Sequence, residues 1–121
     1  MELVRIIGQV IVALGILNVW IVRYGKSTEW RAGTATNMRE EFEVYGIPFW
    51  AMMVIGGVKV TLALLLIVGI WVPALTRPAA LCLGLLMLAA VGMHIKVKDS
   101  LKKALPAVTL VVLCFMVAAM A

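Results

Sequence analysis

Residues 47–72 read IPFWAMMVIGGVKVTLALLLIVGIWV. A bilayer hydrocarbon core is about 30 Å thick and takes roughly 20 apolar residues of helix to cross. This run is longer than that and holds a single charged side chain, Lys59. Working outward, three more apolar runs cover residues 3–22, 78–95 and 104–121. Inside lipid a spanning segment must satisfy its own backbone hydrogen bonds, so the runs are helices. Barrel strands would alternate over shorter segments. The first run is read as an uncleaved helix and not a signal peptide, because it is long and no A-x-A-like site follows it.

The composition agrees. The 121 residues are 64% hydrophobic and 14% charged, with a mean hydropathy of +1.10. Soluble domains run about 45–50% apolar and about 25% charged, and a chain this short could not hide the excess inside a soluble core. The net charge of +5 does not indicate nucleic acid as a partner. The basic residues sit in short stretches between apolar runs, where membrane proteins carry them. The expected fold is an all-α membrane protein: four transmembrane helices in an antiparallel bundle, one domain over residues 1–121.

The connections refine this. Pro73 to Arg77 is short enough to force an antiparallel hairpin, with Pro78 opening the next helix. Pro106 is placed in the first turn of the last helix. The connection over residues 23–46 is longer. Asn37 followed by Glu40 resembles a capping box, Met38, Phe42 and Tyr45 recur at helical spacing, and Gly46 stops the pattern. This predicts a short amphipathic helix at the bilayer surface, with Glu40, Glu41 and Glu43 as partner or surface residues. Trp20, Tyr24 and Trp50 sit at one interface and Trp71 at the other, as aromatic anchors do. One side of the bilayer holds Arg23, Lys26, Arg31, Arg39, Lys96, Lys98, Lys102 and Lys103, and the other Arg5 and Arg77. The positive-inside rule puts the first group in the cytoplasm and both termini outside.

Polar groups within the runs are the candidate site. Lys59 lies mid-span, where a charge costs about 2.5–3.5 kcal/mol on insertion scales, so it either finds company, neutralises or snorkels toward the interface. Gly56 and Gly57 lie within a turn of it and allow either close helix packing or close approach of a ligand. His94 ends the third run, either as an interfacial residue suited to a helix C-terminus or as part of a polar cavity with Lys59 and Asn18. Asp99 is in reach of His94 or of the nearby lysines, and is grouped with Glu40, Glu41 and Glu43 as a partner or surface residue. Gln9, nearer the other side, reads as an interhelical hydrogen bond. Cys82 and Cys114 match in depth on antiparallel neighbours and are read as apolar fillers before a redox pair. With one histidine and no CxxC, no metal site is expected.

From Tyr45 onward, Gly46-Ile47-Pro48, Gly57-Val58-Lys59, the Leu-rich run to Pro73, Arg77-Pro78-Ala79-Ala80, His94, Asp99 and Pro106 follow an order that resembles the DoxX-like family of small four-helix membrane proteins. Other branches of the wider DoxX group carry a glutamate where this chain has Lys59. The resemblance implies a four-helix bundle in a prokaryotic plasma membrane. Relatives include a quinone-reducing subunit of thiosulfate oxidation, members of membrane redox complexes and a chaperone of nicotinic receptors.

Three functions follow as expectations. The first is a non-enzymatic module that binds a partner protein or a lipid-like ligand through the polar site, with Lys59, His94, Asn18, Gly56 and Gly57 as ligand-binding residues. The second is a quinone-linked subunit of a membrane oxidoreductase, in which Lys59 and His94 bond the quinone oxygens and histidine exchanges protons. The third is a small transporter or channel built from oligomers, since an intramembrane lysine suits an anion pathway. The expected surroundings are the bilayer and a redox partner or a second copy.

Overall fold

A computed structural model describes residues 2–22, 25 and 33–121. Arg23, Tyr24, Lys26 and Arg31, used above for orientation and anchoring, lie outside the described residues. Among the described residues four helices are long and apolar enough to cross a membrane: Glu2–Val22, Phe49–Val68, Pro73–Lys96 and Lys102–Met120. The elements are α1 (Glu2–Leu17), a wider π-type turn (Asn18–Val22), α2 (Met38–Tyr45), α3 (Phe49–Val68), α4 (Thr76–Lys96) and α5 (Leu101–Met120). The long helices run up, down, up, down, and α1 packs on α3 and α5 while α4 packs on α3 and α5. Each long helix thus has two antiparallel neighbours, and the short α3–α4 and α4–α5 connections require two of these pairings.

The core between them is built largely from small and aliphatic side chains. Val12, Ala13 and Ile16 of α1 meet Ala63 and Leu66 of α3, Ala80 and Leu83 of α4, and Cys114 and Val117 of α5. Small residues let helices approach closely where lipid offers no hydrophobic push to associate. Leu3, Ile7, Leu64, Leu85 and Val112 stay exposed on the outer faces, which is where a bilayer would solvate them. Cys114 is in the core and Cys82 on the outer face, both as free thiols.

The helix ends follow from local chemistry. At the α3–α4 hairpin a 3-10 turn, Pro73–Leu75, leads into α4, and Arg77 Nε donates to the Ala118 carbonyl at 3.1 Å, a cation at the C-terminal end of α5. The last helix begins earlier than expected, at Leu101, so Pro106 lies inside it and not in its first turn. Its ring removes one rung of the helical ladder there.

The short helix α2 has the expected start and stop. The Asn37 side chain accepts from the Glu40 N–H at 2.8 Å, and the Glu40 carboxylate reaches one residue further back than a standard box, accepting from the Thr36 hydroxyl at 2.6 Å. Gly46, at φ 80°, takes the left-handed position that closes the helix. The helix lies between the first and second spans, as expected, and its stripe is covered by protein. The apolar stripe Met38, Phe42 and Tyr45 is buried together with Met52 of α3. Thus α2 covers one end of the bundle; its stripe faces protein, and the helix is a lid on the four spans.

Candidate functional site

Beneath α2 lies a cavity of about 410 Å³, walled by the end of α1, by α2, by the first half of α3, by the second half of α4 and by the start of α5. Its size suits a small organic molecule. Most of the wall is apolar: Ile16, Ile55, Met87, Met93 and Leu110 among others. The described polar groups on the wall are Asn18, Glu41, Tyr45, Lys59, His94 and Lys103.

Lys59 comes from the middle of α3 and is 7% exposed. Its ammonium lies 5.7 Å from the centroid of the Trp20 ring, a cation–π distance. Among the described residues it makes no hydrogen bond and no salt bridge. Glu41 is the carboxylate whose charge it feels. Trp20 reaches this position because α1 loosens into π-type winding at Asn18–Val22, a distortion often found at functional sites. The indole then lies against Gly56, where a Cβ would stand 2.3 Å from Trp20 Cζ3. Only glycine leaves room for the ring. Trp20 also packs edge-on to Phe42 at 5.6 Å. It is therefore a wall of the cavity, whereas Trp50 and Trp71 stay outside as interface anchors would.

A second group of polar side chains forms a chain from the cavity to the end of the bundle. The Tyr45 hydroxyl donates to Glu41 Oε1 at 3.0 Å and lies 3.2 Å from His94 Nε2. His94 Nδ1 is 2.9 Å from Asp99 Oδ2. The backbone makes this possible. At the end of α4, Asp99 N donates to His94 O at 3.0 Å and Lys98 N to Ile95 O at 3.0 Å, the bonds of a Schellman close. The left-handed position is filled by Lys98, at φ 57°, where a side chain is strained. The reversal folds Asp99 back under the imidazole.

Burial alone would raise the Asp99 carboxyl. The Gly33 N–H at 3.1 Å, the His94 bond and the charges of His94 and Lys103 overcome it and hold the carboxyl below its ordinary value. Asp99 is then an ionised acceptor. Glu41, Tyr45, His94 and Asp99 thus form one connected chain of side chains, in which the donor and acceptor roles at the imidazole follow its tautomer. Lys96 Nζ ties the lid to the same corner by donating to the Tyr45 carbonyl at 3.0 Å, and Lys103 Nζ donates to the Gly33 carbonyl.

The residues singled out from sequence divide accordingly. Lys59, His94 and Asn18 share the cavity wall, and Gly56 makes room for its indole. Gly57 is on the outer face of α3, with open space beside it, and does not line the cavity. Asp99 stands behind His94. Glu40 serves the cap and Glu43 is exposed, 3.9 Å from Arg39. Glu41 is corrected: it is a buried cavity residue and not a surface one. Tyr45 and Trp20 were missed as site residues. The spacing 38, 41, 42, 45 is one helical stripe, and it carried the signal for Glu41 and Tyr45.

The profile of the DoxX-like family matches residues 16–118. The chain belongs to the DoxX-like family. No curated protein and no solved structure matches it. The matched region contains the whole described wall of the cavity, from Ile16 to Leu110.

Proposed function

We propose that this DoxX-like protein is a non-enzymatic membrane module that binds a lipid-like ligand in the cavity under α2. One observation carries the reading: a buried ammonium, Lys59, with no hydrogen bond to a described residue, on the wall of an otherwise apolar cavity. The apolar wall takes a hydrocarbon body. Lys59, the Trp20 face and the Tyr45–His94 pair take a polar head. The residues we assign to the ligand are Lys59, His94, Asn18, Tyr45 and Trp20, with Gly56 in a spacing role. We take the membrane to be a prokaryotic cell membrane and the protein partner to be a redox complex or a second copy, on the strength of family membership.

The test is direct. The protein is purified in a mild detergent, extracted with organic solvent and the extract analysed by mass spectrometry. One amphiphile enriched well above its share of the bulk lipid supports the reading. An extract with the composition of the bulk lipid contradicts it.

A second reading is favoured by a specific feature, the Tyr45–His94–Asp99 chain. A quinone reduced in the cavity must take up protons, and that chain joins the cavity wall to the polar end of α4. Under this reading the protein is a quinone-linked subunit, and the enriched species in the extract is a quinone.

A further inference from the structure

We infer that the ligand of this cavity carries an anionic head group, a carboxylate or a phosphate, that pairs with Lys59. This rests on the cavity-binding reading above and adds the charge of the ligand. Two observations carry it. The first is that the described wall carries two ammonium groups, Lys59 and Lys103, and one carboxylate, Glu41. The second is how the neighbouring charges are used. His94 and Lys103 both face Asp99, at 2.9 Å and 4.0 Å, and Glu41 accepts from Tyr45. Lys59 alone of these makes no hydrogen bond and no salt bridge to a described residue: it has the Trp20 face beside it and feels Glu41 only through its charge.

A cation removed from water needs a partner of opposite charge to offset its desolvation. A quadrupole at 5.7 Å contributes about 0.5–2 kcal/mol, which is less than the cost of a mid-membrane charge. A neutral alcohol or carbonyl would give Lys59 one ordinary acceptor. An anion gives it both the acceptor and the charge, in a site of low dielectric where the pairing is strong. The apolar remainder of the cavity then selects anions that carry a hydrocarbon body over small inorganic ones.

The experiment uses the full chain in lipid nanodiscs, with terminally brominated decanoic acid and brominated decanol as probes. Bromine quenches indole fluorescence at short range, so Trp20→Phe shows how much quenching arises in the cavity. The acid is expected to quench saturably, and the alcohol to need at least a tenfold higher concentration. Unbrominated decanoate and decyl phosphate are expected to displace the acid, and inorganic phosphate is not. Lys59→Met is expected to weaken the acid about tenfold and leave the alcohol unchanged, while Lys59→Arg keeps the preference for the acid. Equal quenching by acid and alcohol, unmoved by Lys59→Met, overturns the anionic assignment while the cavity stands. Displacement by inorganic phosphate as good as by decanoate overturns the requirement for a hydrocarbon body. No saturable quenching by either probe overturns the cavity reading itself.

Discussion

The two ends of the bundle treat buried polar groups in opposite ways. At the α3–α4 hairpin end, Arg5 Nη1 donates to Gln9 Oε1 at 2.8 Å and Arg5 Nη2 to Glu2 at 3.1 Å. Gln9 Nε2 donates to the Leu66 carbonyl at 3.0 Å and to Thr76 Oγ1 at 3.3 Å, and the Thr76 hydroxyl donates to the Gly69 carbonyl at 3.1 Å. Every member has a partner, and the cation sits by the carbonyl end of α3, where a helix favours it. At the α2 end, Lys59 is buried to a similar degree and faces a cavity. A charge within the bilayer is thus not in itself a sign of a site. The sign is a buried charge whose partners are left for something else.

The comparison can be broken first at the closed end. Gln9→Leu leaves Arg5 and Thr76 each short of a bond, and removing one member of a satisfied network costs more than its own bonds. Stability is expected to fall by about 2–3 kcal/mol, read from unfolding in mixed detergent, with the ligand content per folded protein unchanged. A loss of ligand without a loss of stability would put the functional site at the wrong end.

Gly56→Ala sharpens the other end. A Cβ there overlaps the Trp20 ring, so the indole must leave its place over Lys59. A cost of about 1–3 kcal/mol is expected from the overpacking, with a change in tryptophan emission and a weaker hold on the ligand. Gly57→Ala, in open space on the outer face, should do neither.

The Asp99 corner predicts a pH dependence. Its carboxyl is held below the ordinary value of 3.8. The folded state therefore binds that proton less readily than the unfolded state does. The stability it contributes is complete above the ordinary value and is lost as pH falls through the lower, folded one. Asp99→Asn should cost about 1 kcal/mol near neutral pH and flatten the acid limb of the stability curve below about pH 4. An unaltered acid limb would show that the His94–Asp99 pair is not formed. The smallest effect is a gain: Lys98→Gly relieves the left-handed strain and should stabilise by about 0.5–1 kcal/mol.

Much of this was legible in the residues. The four spans were, because length and unbroken apolarity decide a membrane helix almost alone. So were the α3–α4 hairpin and both ends of α2, since caps and turns are local. Lys59, His94 and Asn18 could be placed in one half of the bundle by depth along the helices. Three features were not legible. The insertion of Trp20 against Gly56 depends on a π-type distortion of α1 and on the packing of α1 against α3. The fold-back of Asp99 depends on a left-handed residue that is a lysine and not a glycine, so the turn carried no marker. The lid position of α2 was also hidden, because an amphipathic stripe looks the same whether lipid or protein covers it.

The account is tested most directly by one paired measurement on Lys59→Met, which keeps the stem and deletes the charge. Unfolding stability and the amount of co-purified ligand are determined on the same preparation. If Lys59 is held for a ligand, the variant should fold as well as the parent or better, by up to about 1–3 kcal/mol, and come out of the membrane without the enriched amphiphile. A variant that keeps its ligand in full, at the stability of the parent, would show that the charge under α2 is a tolerated passenger and that the cavity is not organised around it.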